Sequence, residues 1–217
     1  MSENAFLRAR RPEHKRQRRE AILSAARELA LRSGVREVSL GGVAAAVGMA
    51  KSNLARYFAT REEIYLELSA REWQDWKHAV LARLPPSPTP DAVVDALTDT
   101  LAERPLFCDL LSHSATSLEH NVTVDAARAY KVCVLDVIGT LTEAIARTRP
   151  GFTEGEAREL VAAATGLAAL VYPASNPPPA LAELYAREPD LAAACVPFQP
   201  TVKRLLSALA AGLPALR

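Results

Sequence analysis

Lys51, Ser52, Asn53, Arg56 and Tyr57 fall within seven consecutive positions of the 217-residue chain. Two cations, two short polar groups and a phenol on one outward face could hydrogen-bond base edges and phosphates in a major groove. Ser39 and Arg61 flank the group with a further hydroxyl and a further cation. Each type has an ordinary use as well. Exposed Lys and Arg are usually just solvated, Ser39 would cap a helix, and Tyr57 would sit half-buried. The surrounding elements decide between the two uses.

The stretch from Val38 to Phe58 reads as two short helices, about Leu40–Val47 and Lys51–Phe58, flanking Gly48-Met49-Ala50. A tight turn between crossed helices needs a residue free to take positive φ, and Gly48 supplies it. Ala44 to Ala46 are small enough for close helix approach, and Val43, Val47, Met49, Leu54 and Phe58 form an internal wedge. That wedge directs the polar set outward.

On these residues the chain resembles the tetracycline-repressor family of bacterial regulators. The family pattern is a Thr or Ser, Ile-Ala, an Ala-Gly turn, Leu-Tyr-x-Tyr-Phe, and a Lys-Glu-x-Leu helix start. Here Ser39, Val43-Ala44, Val47-Gly48, Leu54-Ala55-Arg56-Tyr57-Phe58 and Arg61-Glu62-Glu63-Ile64 hold those places, with the match covering roughly residues 15–66. Ala55 replaces the first Tyr, and Ala50 stands where a Ser is usual. The resemblance implies phosphate contacts from Ser39, Tyr57 and Arg61, with Lys51, Ser52, Asn53 and Arg56 in or beside the groove. It implies a ligand-responsive regulator, most often a repressor, that binds a palindromic operator on double-stranded DNA as a homodimer. A small-molecule inducer releases such a repressor, and no cofactor or metal is implied.

The charge distribution agrees. Residues 1–61 hold 13 Lys/Arg against 5 Asp/Glu, a net of +8, and the remainder carries −7, which together give the overall +1. Such asymmetry points to an anionic partner for the N-terminal part. The run Arg8, Arg10, Arg11, Lys15, Arg16, Arg18, Arg19 suits general electrostatic attraction, or an arm following a minor groove. There is no signal-peptide core and no apolar stretch of membrane-spanning length, so a cytoplasmic protein is expected. Cys108, Cys133 and Cys195 are odd in number and widely spaced, which fits neither a disulfide framework nor a zinc site. Nucleophile elbows, phosphate loops, dinucleotide fingerprints and Glu-x-x-His pairs are absent from the sequence, which argues against an enzyme. A helical adaptor or anti-repressor that has lost DNA binding is the remaining competitor.

Strand alternation is nearly absent and helical periodicity pervades the chain. The expected fold is all-α: a three-helix helix-turn-helix domain over 1–60 with its basic arm, and a helical ligand-sensing and dimerisation domain over 61–217. Further helices are predicted at about Glu13–Arg32, Arg61–Leu84, Asp91–Glu103, Pro105–Leu118, Val124–Thr148, Glu154–Val171, Ala180–Arg187 and Pro200–Leu213. Gly34 suits a left-handed cap, and Thr60-Arg61-Glu62-Glu63 a capping box. Trp73 and Trp76 share a helix face, and Phe107, Leu110, Tyr130 and Val134 form similar stripes. These stripes read as core, or, with the polar tips of His113, Tyr130 and Tyr172, as the lining of an effector cavity. Leu160, Ala164, Leu167 and Val171, with Val202, Leu205 and Leu209, make two late apolar stripes. They suit a four-helix dimer interface or intramolecular core.

Overall fold

The computed structural model describes residues 3–147 and 151–217. All regular structure in them is helical: α1 Glu3–Ser33, α2 Leu40–Ala46, α3 Lys51–Leu54, α4 Arg61–Arg83, α5 Pro90–Ala102, α6 Pro105–His113, α7 Val124–Ile145, α8 Glu154–Ser175, α9 Pro179–Arg187 and α10 Phe198–Gly212. The side chains of Arg8, Arg10 and Arg11, and the expected helix end at Thr148, lie outside the described residues.

Local chemistry fixes most of the starts. Ser39, Thr60, Thr89, Thr123 and Thr153 each accept a backbone N–H three residues on, which satisfies one orphan donor of α2, α4, α5, α7 and α8. Pro90, Pro105 and Pro179 open α5, α6 and α9, where a missing N–H costs nothing. The capping box expected at Thr60 is only half formed. Glu63 Oε2 accepts from Ala59 N at 2.9 Å, while Oε1 accepts from the N–H and hydroxyl of Thr123. Glu63 therefore ties the start of α4 to the start of α7, and the complete box belongs to Thr153 and Glu156 instead.

Several bounds differ from the periodicity. α1 begins at Glu3 rather than Glu13. α3 is a single turn, followed by hydrogen-bonded turns to Phe58. α6 gives way after His113 to a π-type turn, Ser114–Leu118, where three hydroxyls bond back to carbonyls. α8 runs through Pro173 into its last turn, where one lost backbone bond is tolerable. Gly34 has φ 83° and ψ 152°, so it is extended rather than a left-handed helical cap, and this conformation is open essentially only to glycine.

Ile22, Leu23 and Ala26 of α1 pack with Val43, Leu54 and Phe58 into the core of the head. α4 leaves that head and lies against α7, α5 and α6, while α8 packs on α6, α7 and α10. Leu160, Ala164, Val171 and Val202, expected at a dimer surface, are buried within the single chain. They face the α8 contacts with α6 and α10, which corrects that part of the expectation, since periodicity marks an apolar face but not what covers it. Leu205 remains exposed, and Leu167 and Leu209 half-buried, with Leu170 at 73% exposure beside them.

Candidate nucleic-acid interface

The helix-turn-helix is held from beneath by apolar contacts and from its flanks by two arginines. Val43, Leu54 and Phe58 are fully buried, and Gly48 makes the turn at φ 65°. With Leu54 pinned inward, Lys51, Ser52 and Asn53 of α3 and Arg56 of the turn that follows it stand exposed. Neither the Lys51 ammonium nor the Arg56 guanidinium has a hydrogen-bond or ion-pair partner among the described residues. Two unpaired cations beside hydroxyl and amide groups leave a surface free to take phosphates and base edges. Tyr57 is half-buried, at the margin of this face. Ser39 Oγ accepts from Gly42 N at 3.0 Å yet stays exposed, so it caps α2 and keeps an O–H toward solvent.

Arg61 is placed otherwise. Its guanidinium donates to the backbone carbonyls of Val35 and Val38, pairs with Glu62 at 3.1 Å and lies over the Tyr65 ring. With its donors turned inward, it clamps the connection between α1 and α2. In the free chain these contacts give Arg61 a positioning role.

Arg19 was legible only as one charge in a basic run. It bonds the Tyr57 carbonyl and the Glu67 carboxylate, and its guanidinium lies 3.9 Å from the Phe58 ring centre. Asp109 was not singled out at all. Its Oδ2 accepts the Val35 N–H at 2.7 Å, joining the head to α6. No local pattern could have announced either contact, because their partners lie 38 and 74 positions away.

The residues considered for effector binding divide into a closed set and an open one. Trp73, Trp76 and Phe107 pack with ring centres 5.3–5.7 Å apart. Trp76 Nε1 donates to Thr100 Oγ1 at 2.9 Å. Tyr130 Oη is shared by Trp73 Nε1, Ser69 and Ser114 at 3.2–3.4 Å. Leu110 is fully buried in the same core and Val134 borders it. Burial pushes Tyr172 up to about 12, and its ring meets Phe198 edge-on. His113 opens onto a cleft, lined also by Arg36 and Arg61. Among the described residues no cluster of His, Cys, Asp and Glu could hold a metal, and no helix is long and apolar enough to cross a membrane.

Residues 22–68 match the family model for bacterial regulatory proteins of the tetR family, and residues 70–217 match the tetracyclin repressor-like C-terminal domain. No curated protein sequence is significantly similar to the chain. Among solved structures, a possible TetR family transcriptional regulator from Streptomyces coelicolor A3(2) is 19% identical with TM-score 0.58, covering 92% of this chain and 100% of that one. The multidrug binding protein EbrR, complexed with imidazole, is 17% identical with TM-score 0.56, covering 88% and 94%. The fatty acid degradation regulator FadR from Bacillus halodurans is 12% identical with TM-score 0.51, covering 87% and 97%. At these identities the likeness is one of fold. Family-model matches that span nearly the whole chain, together with the exposed polar face of α3, identify it as a member of the TetR family: a ligand-responsive, DNA-binding transcriptional regulator and not an enzyme.

Proposed function

We propose that the chain is a cytoplasmic repressor that binds a palindromic operator as a homodimer and is released by a small-molecule inducer. Lys51, Ser52, Asn53 and Arg56 enter the major groove, while Ser39 and Tyr57 hold flanking phosphates. Residues 1–60 form the DNA-binding domain and 61–217 the sensing and dimerising one. The observation that carries this reading is the pair of exposed cations with unpartnered side chains, Lys51 on α3 and Arg56 in the turn after it, backed by buried Leu54 and Phe58. The dimer forms through the outer faces of α8 and α10, where Leu167, Leu170, Leu205 and Leu209 retain exposed apolar surface. An inducer that parted Trp73 from Tyr130 would act on the same helix, α4, that carries the head.

The test is fluorescence anisotropy and footprinting with the promoter of the protein's own gene. Two protected half-sites are expected, with centres about 34–36 Å apart or a multiple of that. Binding that is indifferent to sequence would overturn the operator reading.

A further inference from the structure

We propose that the cleft between the head and α6 is an effector site for a small organic carboxylate. This rests on the reading of the chain as an effector-responsive regulator. It assigns the site to the joint between domains rather than to the closed aromatic core.

The cleft measures about 430 Å³, room for a small organic acid and several waters at about 30 Å³ each. Arg36 comes from the head, Arg61 from the start of α4, Ser112 and His113 from α6, and Thr116 and Ser117 from the π-type turn. The lining holds the Arg36 guanidinium, an imidazole and three hydroxyls, with Arg61 adding positive charge while its donors stay on Val35, Val38 and Glu62, and no carboxylate. The neighbouring acids are already engaged, Asp109 by Val35 N–H and His113, and Glu62 by Arg61. Arg36 is exposed and has no partner among the described residues. The hydroxyls of Ser112, Thr116 and Ser117 donate only to nearby helix carbonyls, and each can rotate toward a charged acceptor. A second cleft, beside Arg27 and Arg104, is lined by Glu72, Asp75 and Glu103, whose charges would repel the same ligand.

Position makes the site regulatory. Val35, next to Arg36, gives its N–H to Asp109 on α6 and its carbonyl to Arg61. An anion between Arg36 and His113 therefore clasps this joint from the head side and the body side together. It favours the arrangement in which Arg36 and His113 converge and so shifts the DNA affinity of the head.

The experiment uses the full chain with isotope-labelled histidine and follows the four imidazoles by NMR. Acetate, benzoate and octanoate are titrated, with benzamide and benzamidine as neutral and cationic counterparts. At least one carboxylate should give a saturable shift of His113 and leave His14, His78 and His120 unmoved. Affinity should fall about tenfold or more in Arg36→Ala. The shift should vanish in Thr116→Trp, an exposed position where the indole plugs the mouth. No saturable shift with any carboxylate, or the same response in both variants, overturns the site. Operator affinity measured with the binding carboxylate should change in the native chain and stay constant in Thr116→Trp. Binding without that change overturns the effector role, whereas loss of specific operator binding by the unliganded chain overturns the repressor reading instead.

Discussion

Arg19 of α1 donates from Nη1 to the backbone carbonyl of Tyr57 at 2.7 Å, in the turn that follows α3. The same guanidinium bonds Glu67 of α4 and covers the Phe58 ring, so one side chain fixes the C-terminal end of the helix-turn-helix against both neighbours. Arg19→Ala should lower stability by about 1–2 kcal/mol, the range for charge-assisted bonds that are partly solvated. Urea unfolding checks this, and an unchanged midpoint would remove the clamp.

Arg56→Ala should cost about 1–3 kcal/mol in operator binding and relax preference at one base pair. Lys51→Ala should weaken all sequences alike and reduce the salt slope by about one charge. Both effects are read by anisotropy across a salt series. Normal operator binding by the double Ala variant would move the interface away from α3.

Arg61→Ala separates a positioning role from a phosphate contact. With its donors on the Val35 and Val38 carbonyls, its loss should lower thermal stability and leave the salt slope of DNA binding unchanged. A slope lowered by about one charge, with stability intact, would return Arg61 to the phosphate.

Leu170→Glu and Leu205→Glu change positions already exposed in the single chain, at 73% and 45%. Each should leave the chain folded and split the dimer by placing an unpaired carboxylate in the contact. Palindrome affinity should then collapse toward that of a half-site. Light scattering that finds intact dimers for both variants would locate the interface elsewhere. Leu160→Glu, by contrast, should unfold the chain, because Leu160 is fully buried within it.

Glu72 on α4 is buried, and that burial holds its carboxyl above the usual carboxylate range despite Arg27 at 3.4 Å. A raised folded-state pKa means that the folded chain holds the proton more tightly than the unfolded one. The charged form thus costs stability above the raised value, and the cost disappears below the ordinary value of 4.5. Glu72→Gln should therefore raise Tm near pH 8, with the gain fading as the pH falls toward the ordinary value of 4.5. A Tm difference independent of pH would show that Glu72 does not titrate in this way.

The helical class, the turn at Gly48 and the outward face of Lys51, Ser52, Asn53 and Arg56 were legible in the sequence because each depends on neighbours a few positions away. Apolar spacing, one glycine and a hydroxyl cap are sufficient to specify them. The same local logic misjudged Glu63, whose carboxylate answers to Thr123 as well as to Ala59, and placed the complete capping box at Thr60 rather than Thr153.

Tertiary structure alone decided which charges are free and which apolar faces are covered. Arg19, Arg61, Lys51 and Arg56 are alike as sequence symbols, yet the first two turn inward to carbonyls and carboxylates while the last two face solvent unpaired. Leu160 and Leu170 share one helix, and only the packing of α6 and α10 makes the first core and the second surface. The reason is physical: periodicity sets the direction in which a side chain points, but what it meets there depends on chain brought back from tens of residues away.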